Sequence, residues 1–354
     1  MAKLKAGIIG TGQATGISKA HLLGYQECEN VEFIGVYNHT RANAEKWCDA
    51  YGLDHALCYD SADALIADAD LISICTPNYA HIEYVKKCLE ANTHVLCEKP
   101  ISTTAAEFAQ LEQPLKTTSA IAMVGYNYRH IPGLRMIHDL VCSGKLGRIY
   151  TIRHCMGAPR LANESVPMEW RFVRSLSGAG ALTDFGSHAL DILRYITGSD
   201  DLKLENLSAR TATFIPERAG RDGTPQQVEN DDAAMVLATV NGGTLYSLTL
   251  SRVGVASAWL ELVAQYGIVR FDLMNPCQID VQLRESGRPY GAKQTLVAED
   301  ADAWKQAGVP VPYKACAETV KEFVRLVETG EKPATDLYYG LQIQKDIEAI
   351  ERIG

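Results

Sequence analysis

The sequence has no run of the roughly 20 consecutive apolar residues that a membrane-crossing helix needs, and its first residues lead into a short apolar strand instead of a signal-peptide core. A membrane partner is therefore not expected, and a cytoplasmic location is. An excess of positive charge is also lacking. The 34 basic and 43 acidic residues leave a net charge of -9, which offers no general attraction to a nucleic-acid backbone. Ten cysteines in 354 residues are too dilute for a disulfide scaffold, and no CxxC pair or tight Cys/His cluster occurs. No metal site is expected, and cysteines such as Cys75 in Leu71-Ile72-Ser73-Ile74-Cys75 read as small hydrophobes. Internal repeats and low-complexity tails are missing as well.

What is present is a globular composition, 47% hydrophobic and 22% charged, in a chain long enough for about two domains. Ala6 to Ile9 is apolar and runs into glycines, so it reads as a buried strand entering a turn. A helix is expected over 17–26, a strand over 31–37 and a helix over 41–51 that Gly52 breaks. Leu71 to Cys75 reads as the next strand, 79–91 as a helix with Ile82, Val85 and Leu89 near one face, and His94 to Cys97 as a further strand. Alternating strands and helices with apolar strands imply a parallel sheet covered on both faces, extending to about residue 124.

The pattern then changes. Segments 231–240, 243–250, 256–264, 267–271 and 278–283 read as successive strands joined by short turns such as Asn241-Gly242. The fold class expected is α/β: a Rossmann-like parallel sheet over 1–124, then an α+β domain over 125–354 on an open, largely antiparallel sheet. Helices near 184–196 and 313–327 would cover that sheet on one face, with the last helix returning to the first domain. The polar segment 216–230 reads as an exposed loop.

Gly10-Thr11-Gly12-Gln13-Ala14-Thr15-Gly16 stands between the first strand and the first helix, the setting of a dinucleotide fingerprint. Gly10 allows a sharp turn, Gly12 lets backbone approach a pyrophosphate, and the helix N-terminus adds N–H groups for it, with Gln13 and Ala14 on the same turn. The third glycine comes one position later than in GxGxxG. Asn38 ends the second strand, where an acidic residue often receives the ribose hydroxyls of NAD. Asn38 is neutral, while His39 and Arg41 stand where a 2′-phosphate would be met, so NAD is the narrow expectation and NADP is not excluded. Thr76-Pro77-Asn78 follows a parallel strand at the edge where a ligand crevice opens.

Glu98-Lys99-Pro100 also follows a strand, and an ammonium there can stabilise alkoxide character on a substrate oxygen. Asp184 and His188 are four residues apart, so a helix starting there points both to one side. His188 can exchange a proton near neutral pH and Asp184 can orient its ring. Each of these residues also has an ordinary structural reading, Lys99 as a surface lysine and the pair as a helix-end contact.

Together these elements resemble the Gfo/Idh/MocA family of glucose-fructose oxidoreductases and inositol dehydrogenases. The resemblance spans almost the whole chain. It rests on the glycine turn, Thr76-Pro77-Asn78 with His81 one helical turn beyond, Glu98-Lys99-Pro100, Tyr126-Asn127-Tyr128-Arg129, and the Asp184/His188 segment. It implies a dehydrogenase of sugars, glycosides or polyols in which Lys99, Asp184 and His188 act on the substrate and Glu98 fixes the approach of Lys99. It further implies Tyr126, Asn127, Arg129 and Trp170 as substrate-side candidates, although Trp170 serves equally as an aromatic anchor for its loop. Sheet-face association into a homodimer or homotetramer is implied too. The shifted glycine and neutral Asn38 depart from the pattern and leave the cofactor preference open, as the sequence leaves open which of Lys99 and His188 takes the proton. Two other classes fit the same residues: an NAD-dependent glycosidase working through transient sugar oxidation, and a noncatalytic NAD-binding sensor.

Overall fold

A computed structural model describes residues 2–12, 16–199, 201–254, 256–284 and 290–354. The chain divides into two compact units, Met1–Asn127 with Val309–Gln344, and Tyr128–Gly308 with Lys345–Gly354. Among the described residues no helix is long and apolar enough to cross a membrane.

The first unit alternates strands and helices: β1 (Leu4–Ile9), α1 (Ser18–Gln26), β2 (Val31–Tyr37), α2 (Arg41–Ala50), α3 (Ala62–Asp68), β3 (Leu71–Ile74), α4 (His81–Glu90), β4 (His94–Cys97), α5 (Glu112–Thr117) and β5 (Ala122–Val124). The strands pair in parallel in the order β2-β1-β3-β4-β5. β3 is buried along its whole length, as a strand covered on both faces must be. The order reverses direction between β1 and β3, so a crevice opens at the carboxyl ends of those two strands.

The second unit holds α6 (Pro132–Cys142), β6 (Ile149–Gly157), α7 (Arg174–Ser177), α8 (Ala181–Thr197) and the strands β7 (Leu204–Ala212), β8 (Glu217–Ala219), β9 (Pro225–Gln227), β10 (Ala233–Val240), β11 (Thr244–Ser251), β12 (Ser257–Ala264), β13 (Gly267–Asp272), β14 (Gln278–Leu283) and β15 (Gln294–Val297), then α9 (Ala301–Gln306). Eight strands form one sheet in the order β15-β14-β13-β12-β6-β11-β10-β7. Every neighbouring pair is antiparallel except β6 with β11. Alternation divides its faces: Ile152, Met156, Val236, Leu248, Leu250 and Leu260 are buried, whereas Met235, Leu237, Leu245 and Trp259 point to the exposed side. α8 packs on β6, β10 and β11, and α6 on β13, β14 and α8.

α10 (Val311–Thr329) belongs to the first unit, and α11 (Leu337–Glu351) begins there. α10 lies against α1, where a β-carbon on Gly24 would stand 2.6 Å from the β-carbon of Val320. That spacing makes Gly24 part of the packing.

The expected loop at 216–230 differs from what is found. β8 and β9 pair as a two-stranded ribbon, and Arg218 is buried with its guanidinium donating to the carbonyls of Leu161, Asn163 and Val166. A buried guanidinium with carbonyl acceptors anchors a segment that composition alone marks as solvated.

Candidate active site

In the first unit, the site grows from the turn after β1. Gly10 has φ 95°, and a β-carbon there would lie 2.6 Å from Thr76 N and 2.7 Å from Cys75 C. Only glycine satisfies both the left-handed backbone and this contact between the ends of β1 and β3. Gly12, φ 31°, is different: a β-carbon there would meet no described atom within 4 Å, so its backbone faces open space. The N-cap of α1, Ile17, offers no side-chain acceptor to the helix N–H groups. Thr76 Oγ1 is buried and has no hydrogen-bond partner among the described residues. Among the described residues, an uncovered glycine backbone, a helix start whose N-cap residue lacks an acceptor and an orphaned hydroxyl at one sheet edge fit the phosphates and nicotinamide half of a dinucleotide. Gln13 and Ala14 lie outside the described residues.

At the end of β2, Asn38 Nδ2 donates to Thr11 Oγ1 at 3.0 Å, and its Oδ1 accepts from Thr40 N at 3.0 Å. His39 is exposed. Arg41 is held by two carboxylates, donating through Nε to Glu45 at 2.9 Å and through Nη1 to Asp60.

Two histidines grip the segments around Lys99. His81 bridges carbonyls, with Nδ1 2.6 Å from Pro100 O and Nε2 2.9 Å from Thr76 O, tying the turn after β3 to the turn after β4. Burial pushes the His81 pKa down, against the pull of those two carbonyls. His21 Nε2 lies 3.0 Å from Glu98 Oε1. Pro77 is half-buried and Asn78 is buried beside Thr76. Lys99 is half-buried between the two histidine-held residues, and its peptide bond to Pro100 is cis. Tyr126 packs edge-on against Tyr339, and Asn127 Nδ2 donates to Pro312 O at 3.0 Å, so both also serve as ties within this unit.

In the second unit, the site is the first two turns of α8. Helix N–H groups there need acceptors, and Gly180 at the N-cap has no side chain to give. Asp231, from the chain entering β10, supplies them: Oδ1 accepts from Gly180 N at 2.8 Å, Oδ2 from Leu182 N at 3.0 Å, and its carbonyl from Ala181 N at 2.9 Å. A β-carbon on Gly180 would stand 1.8 Å from that carbonyl oxygen, so no other residue fits. Burial raises the Asp231 pKa, while the two backbone bonds hold it down. Its neighbours act alike: Asp232 accepts from Arg252, Phe214 N and Ile215 N, and Arg252 Nη2 donates to Asn230 Oδ1 at 2.7 Å.

Asp184 and His188 are only partly buried, on one side of the helix whose neighbours Thr183 and Ser187 are buried. The Tyr128 ring meets the His188 imidazole edge-on with centroids 4.5 Å apart. Burial first, and the Asp184 charge second, push the Tyr128 hydroxyl up to about 12. Tyr128, Asp184 and His188 therefore converge. One turn on, Arg129 Nε donates to Asp191 Oδ1 at 2.7 Å in a pair that is 13% and 1% exposed, and its guanidinium lies over Tyr195. Removing one partner of so buried a pair costs about 3–5 kcal/mol, and the pair ties the backbone next to Tyr128 to α8 one turn beyond His188. Trp170 is half-buried with the Arg171 guanidinium 4.4 Å above its ring.

Lys99 is thus carried by the first unit, and Asp184 and His188 by the second. Sequence reasoning did not reach Asp231, Asp60, His21 or Ser73. The only local trace is Asn230-Asp231-Asp232 between a polar segment and a strand.

Residues 4–126 match the family described as "Oxidoreductase family, NAD-binding Rossmann fold", and residues 134–270 match the "GFO/IDH/MocA C-terminal domain". The levoglucosan dehydrogenase of Pseudarthrobacter phenanthrenivorans is 28% identical over 275 residues, which cover 71% of this chain and 68% of that protein. The glucose-6-phosphate 3-dehydrogenase of Bacillus subtilis is 28% identical over 253 residues, again 71% and 68% of the two chains. A solved levoglucosan dehydrogenase in complex with NADH and levoglucosan has a TM-score of 0.87 at 23% identity, covering 99% of this chain and 97% of that one, a likeness of fold.

The capping of α8 is testable by itself. Asp231→Ala removes both carboxylate acceptors and should destabilise the protein by about 2 kcal/mol, the sum expected for a lost cap with buried orphan donors. The measurement is the urea midpoint at unchanged slope. A midpoint equal to the parent's would show that the helix start does not depend on Asp231.

Proposed function

The chain belongs to the Gfo/Idh/MocA family of NAD-binding Rossmann-fold oxidoreductases, and from that premise we propose that it interconverts a secondary hydroxyl and a ketone on a sugar, glycoside or cyclic polyol. The observation that carries the reading is the Tyr128–Asp184–His188 cluster at the start of α8, an exchangeable proton site in a chain whose other unit holds a dinucleotide turn. The printed names of the relatives, levoglucosan dehydrogenase and glucose-6-phosphate 3-dehydrogenase, support a carbohydrate as substrate.

Bound NAD+ would supply the hydride acceptor, C4 of its nicotinamide. Gly10, Gly12 and the start of α1 would hold its pyrophosphate, and Thr76, Pro77 and Asn78 would border its nicotinamide half. His188 accepts the hydroxyl proton on a ring nitrogen. Asp184 orients that ring and offsets the positive charge it gains, and the Tyr128 edge limits how far it can turn. The Lys99 ammonium stabilises the oxygen as its charge develops. Glu98 and Pro100, each gripped by a histidine, limit the motion of Lys99. Asn127, Arg129 and Tyr126 shape the substrate side by holding the backbone next to Tyr128, and Trp170 offers a half-buried ring for a sugar face.

A panel of polyols, glucosides and inositols with NAD and NADP, followed by nicotinamide absorbance and product mass, tests the reading. Net NAD(P)H with a ketone product is expected. Aglycone release without net NAD(P)H would favour the glycosidase, and neither signal would end the enzyme reading. In the same assay, Lys99→Met and His188→Asn should each lower single-turnover hydride transfer by roughly 10²-fold or more while nucleotide affinity and thermal unfolding stay near the parent's. Unchanged hydride transfer in folded, cofactor-bound variants would reject both roles.

For the cofactor we propose NAD over NADP. A 2′-phosphate needs a cation free to pair with it, whereas the Arg41 guanidinium is already shared by Glu45 and Asp60, and Asp60 adds repulsion. kcat/KM for NAD should exceed that for NADP by about tenfold or more, and Asp60→Ala should narrow the gap. Better turnover with NADP in the parent protein would overturn the preference.

We also propose a homo-oligomer, dimer or tetramer, formed through the exposed sheet face that carries Met235, Leu237, Leu245 and Trp259. Light scattering should give a multiple of the monomer mass, reduced by Leu237→Lys. A monomeric mass at working concentration would contradict it.

A further inference from the structure

We propose that Cys48 and Cys58 form a disulfide when the protein meets hydrogen peroxide, and that this bond staples α2 to the segment lying against β2. The inference stands apart from the dehydrogenase reading, since neither thiol belongs to the candidate site.

Cys48 lies in the last turn of α2, and Cys58 follows a short 3₁₀ turn over His55–Leu57. Both are free thiols, 0% and 6% exposed. Their sulfurs are 3.5 Å apart, so the two side chains already meet. A disulfide draws sulfurs to about 2 Å, which asks for a movement of roughly 1.5 Å shared between two side chains.

The backbone on either side is held in place without the bond. Leu53 N donates to Cys48 O at 2.9 Å, and Cys58 N donates to His55 O at 2.9 Å. Asp54 Oδ1 accepts from Ala56 N at 2.8 Å, and Gly52 turns the chain away from the helix with φ 65°. On the far side, Cys58 bridges Val36 of β2, and Tyr59 N donates to Val36 O at 2.9 Å. A β-carbon on Gly35 would stand 2.3 Å from Leu57 O, so the segment lies directly on the strand. Ala44, Trp47 and Val36 share the apolar core with both cysteines. A backbone tied at so many points keeps the two sulfurs facing each other. Cys142 gives the contrast: it is exposed, and its thiol lies beside His138.

The chemistry balances with peroxide as the oxidant. The less enclosed thiol reacts first: the peroxide O–O bond breaks, Cys58 S–H becomes S–OH, and one water leaves. The Cys48 sulfur then attacks the Cys58 sulfur, the S–S bond forms as the S–O bond breaks, and the hydroxide departs with the Cys48 proton as a second water. Two electrons pass from the two sulfurs to the peroxide oxygens. Burial, and after it the neighbouring Cys58 thiol, push the Cys48 pKa up to about 12, so little of it is thiolate and closure is slow. α2 and the segment after it already meet at the exposed Arg41–Asp60 pair. Such a surface pair contributes little, whereas a covalent tie in the core restricts the unfolded chain.

The whole reduced protein is treated with hydrogen peroxide, quenched with catalase, unfolded in iodoacetamide and cleaved after aromatic residues, because no lysine or arginine separates the two cysteines. Mass spectrometry should find the peptides on either side of Tyr51 joined through Cys48 and Cys58, lighter by two hydrogens than the separate thiols, and dithiothreitol should part them. The oxidised protein should unfold about 5 °C above the reduced one. Cys58→Ala and Cys48→Ala should each show neither the linkage nor the shift, and where one does not fold the other carries the comparison. Recovery of Cys48 and Cys58 as separate alkylated or sulfonated residues from folded, peroxide-treated protein would overturn the proposal, as would a bond that forms only after unfolding in urea. A linkage that leaves the unfolding midpoint unmoved overturns the staple. No step of this readout depends on nicotinamide turnover, so its failure and that of the dehydrogenase reading are distinguishable.

Discussion

The backbone at Gly10 passes so close to the end of β3 that a β-carbon there would sit 2.6 Å from Thr76 N. This contact brings together the two strand ends on either side of the point where the sheet reverses its order, and the rest of the first unit's site hangs from them. Thr76 O receives one nitrogen of His81, whose other nitrogen meets Pro100 O. Pro100 follows Lys99, and Glu98 before it is reached by His21. A side chain at position 10 would part the strand ends and loosen the glycine turn, the Thr76 turn and the Lys99 segment together.

The second unit solves a similar problem with a carboxylate. α8 starts at a glycine that cannot cap it, and Asp231, about fifty residues later, takes its first N–H groups. The acidic charge also suits the positive end of the helix dipole. Asp184 and His188 then sit on the turns that follow this cap, with the Tyr128 ring edge-on to His188 and the neighbouring Arg129 paired with buried Asp191. In both units, the candidate groups are flanked by neighbours that are themselves buried and tied to other elements, which limits their motion.

How much of this was legible depends on how local each signal is. β1, α1, β2, β3, α4 and β4 follow from short apolar runs, glycine turns and helical spacing, and the structure has them within a few residues of the expectation. β6 was not expected, although it lies between β11 and β12 near the centre of the larger sheet. Its buried face includes His154, whose pKa burial lowers to about 3, and its exposed face includes Arg153, so the apolar alternation is broken. Its partners also come some ninety residues or more later. α8 begins at Ala181, three residues ahead of the expected 184, because its cap comes from Asp231 and leaves no mark in the adjacent sequence. The Asp184/His188 pair was visible from its spacing of four. The His21–Glu98 bond spans 77 residues and could not be seen.

The central claim is that a carbon-bound hydrogen of a carbohydrate leaves as hydride in a chain that takes the accompanying proton on its own side chain. Deuterium tracing tests this most directly. The purified protein is incubated with NAD+ and a substrate deuterated at its ring carbons, and the nicotinamide product is analysed by mass and NMR. The account predicts that the NADH formed carries substrate deuterium at C4 and that the ketone lacks it at the oxidised carbon. NADH free of deuterium beside a deuterated substrate that has been consumed would contradict it.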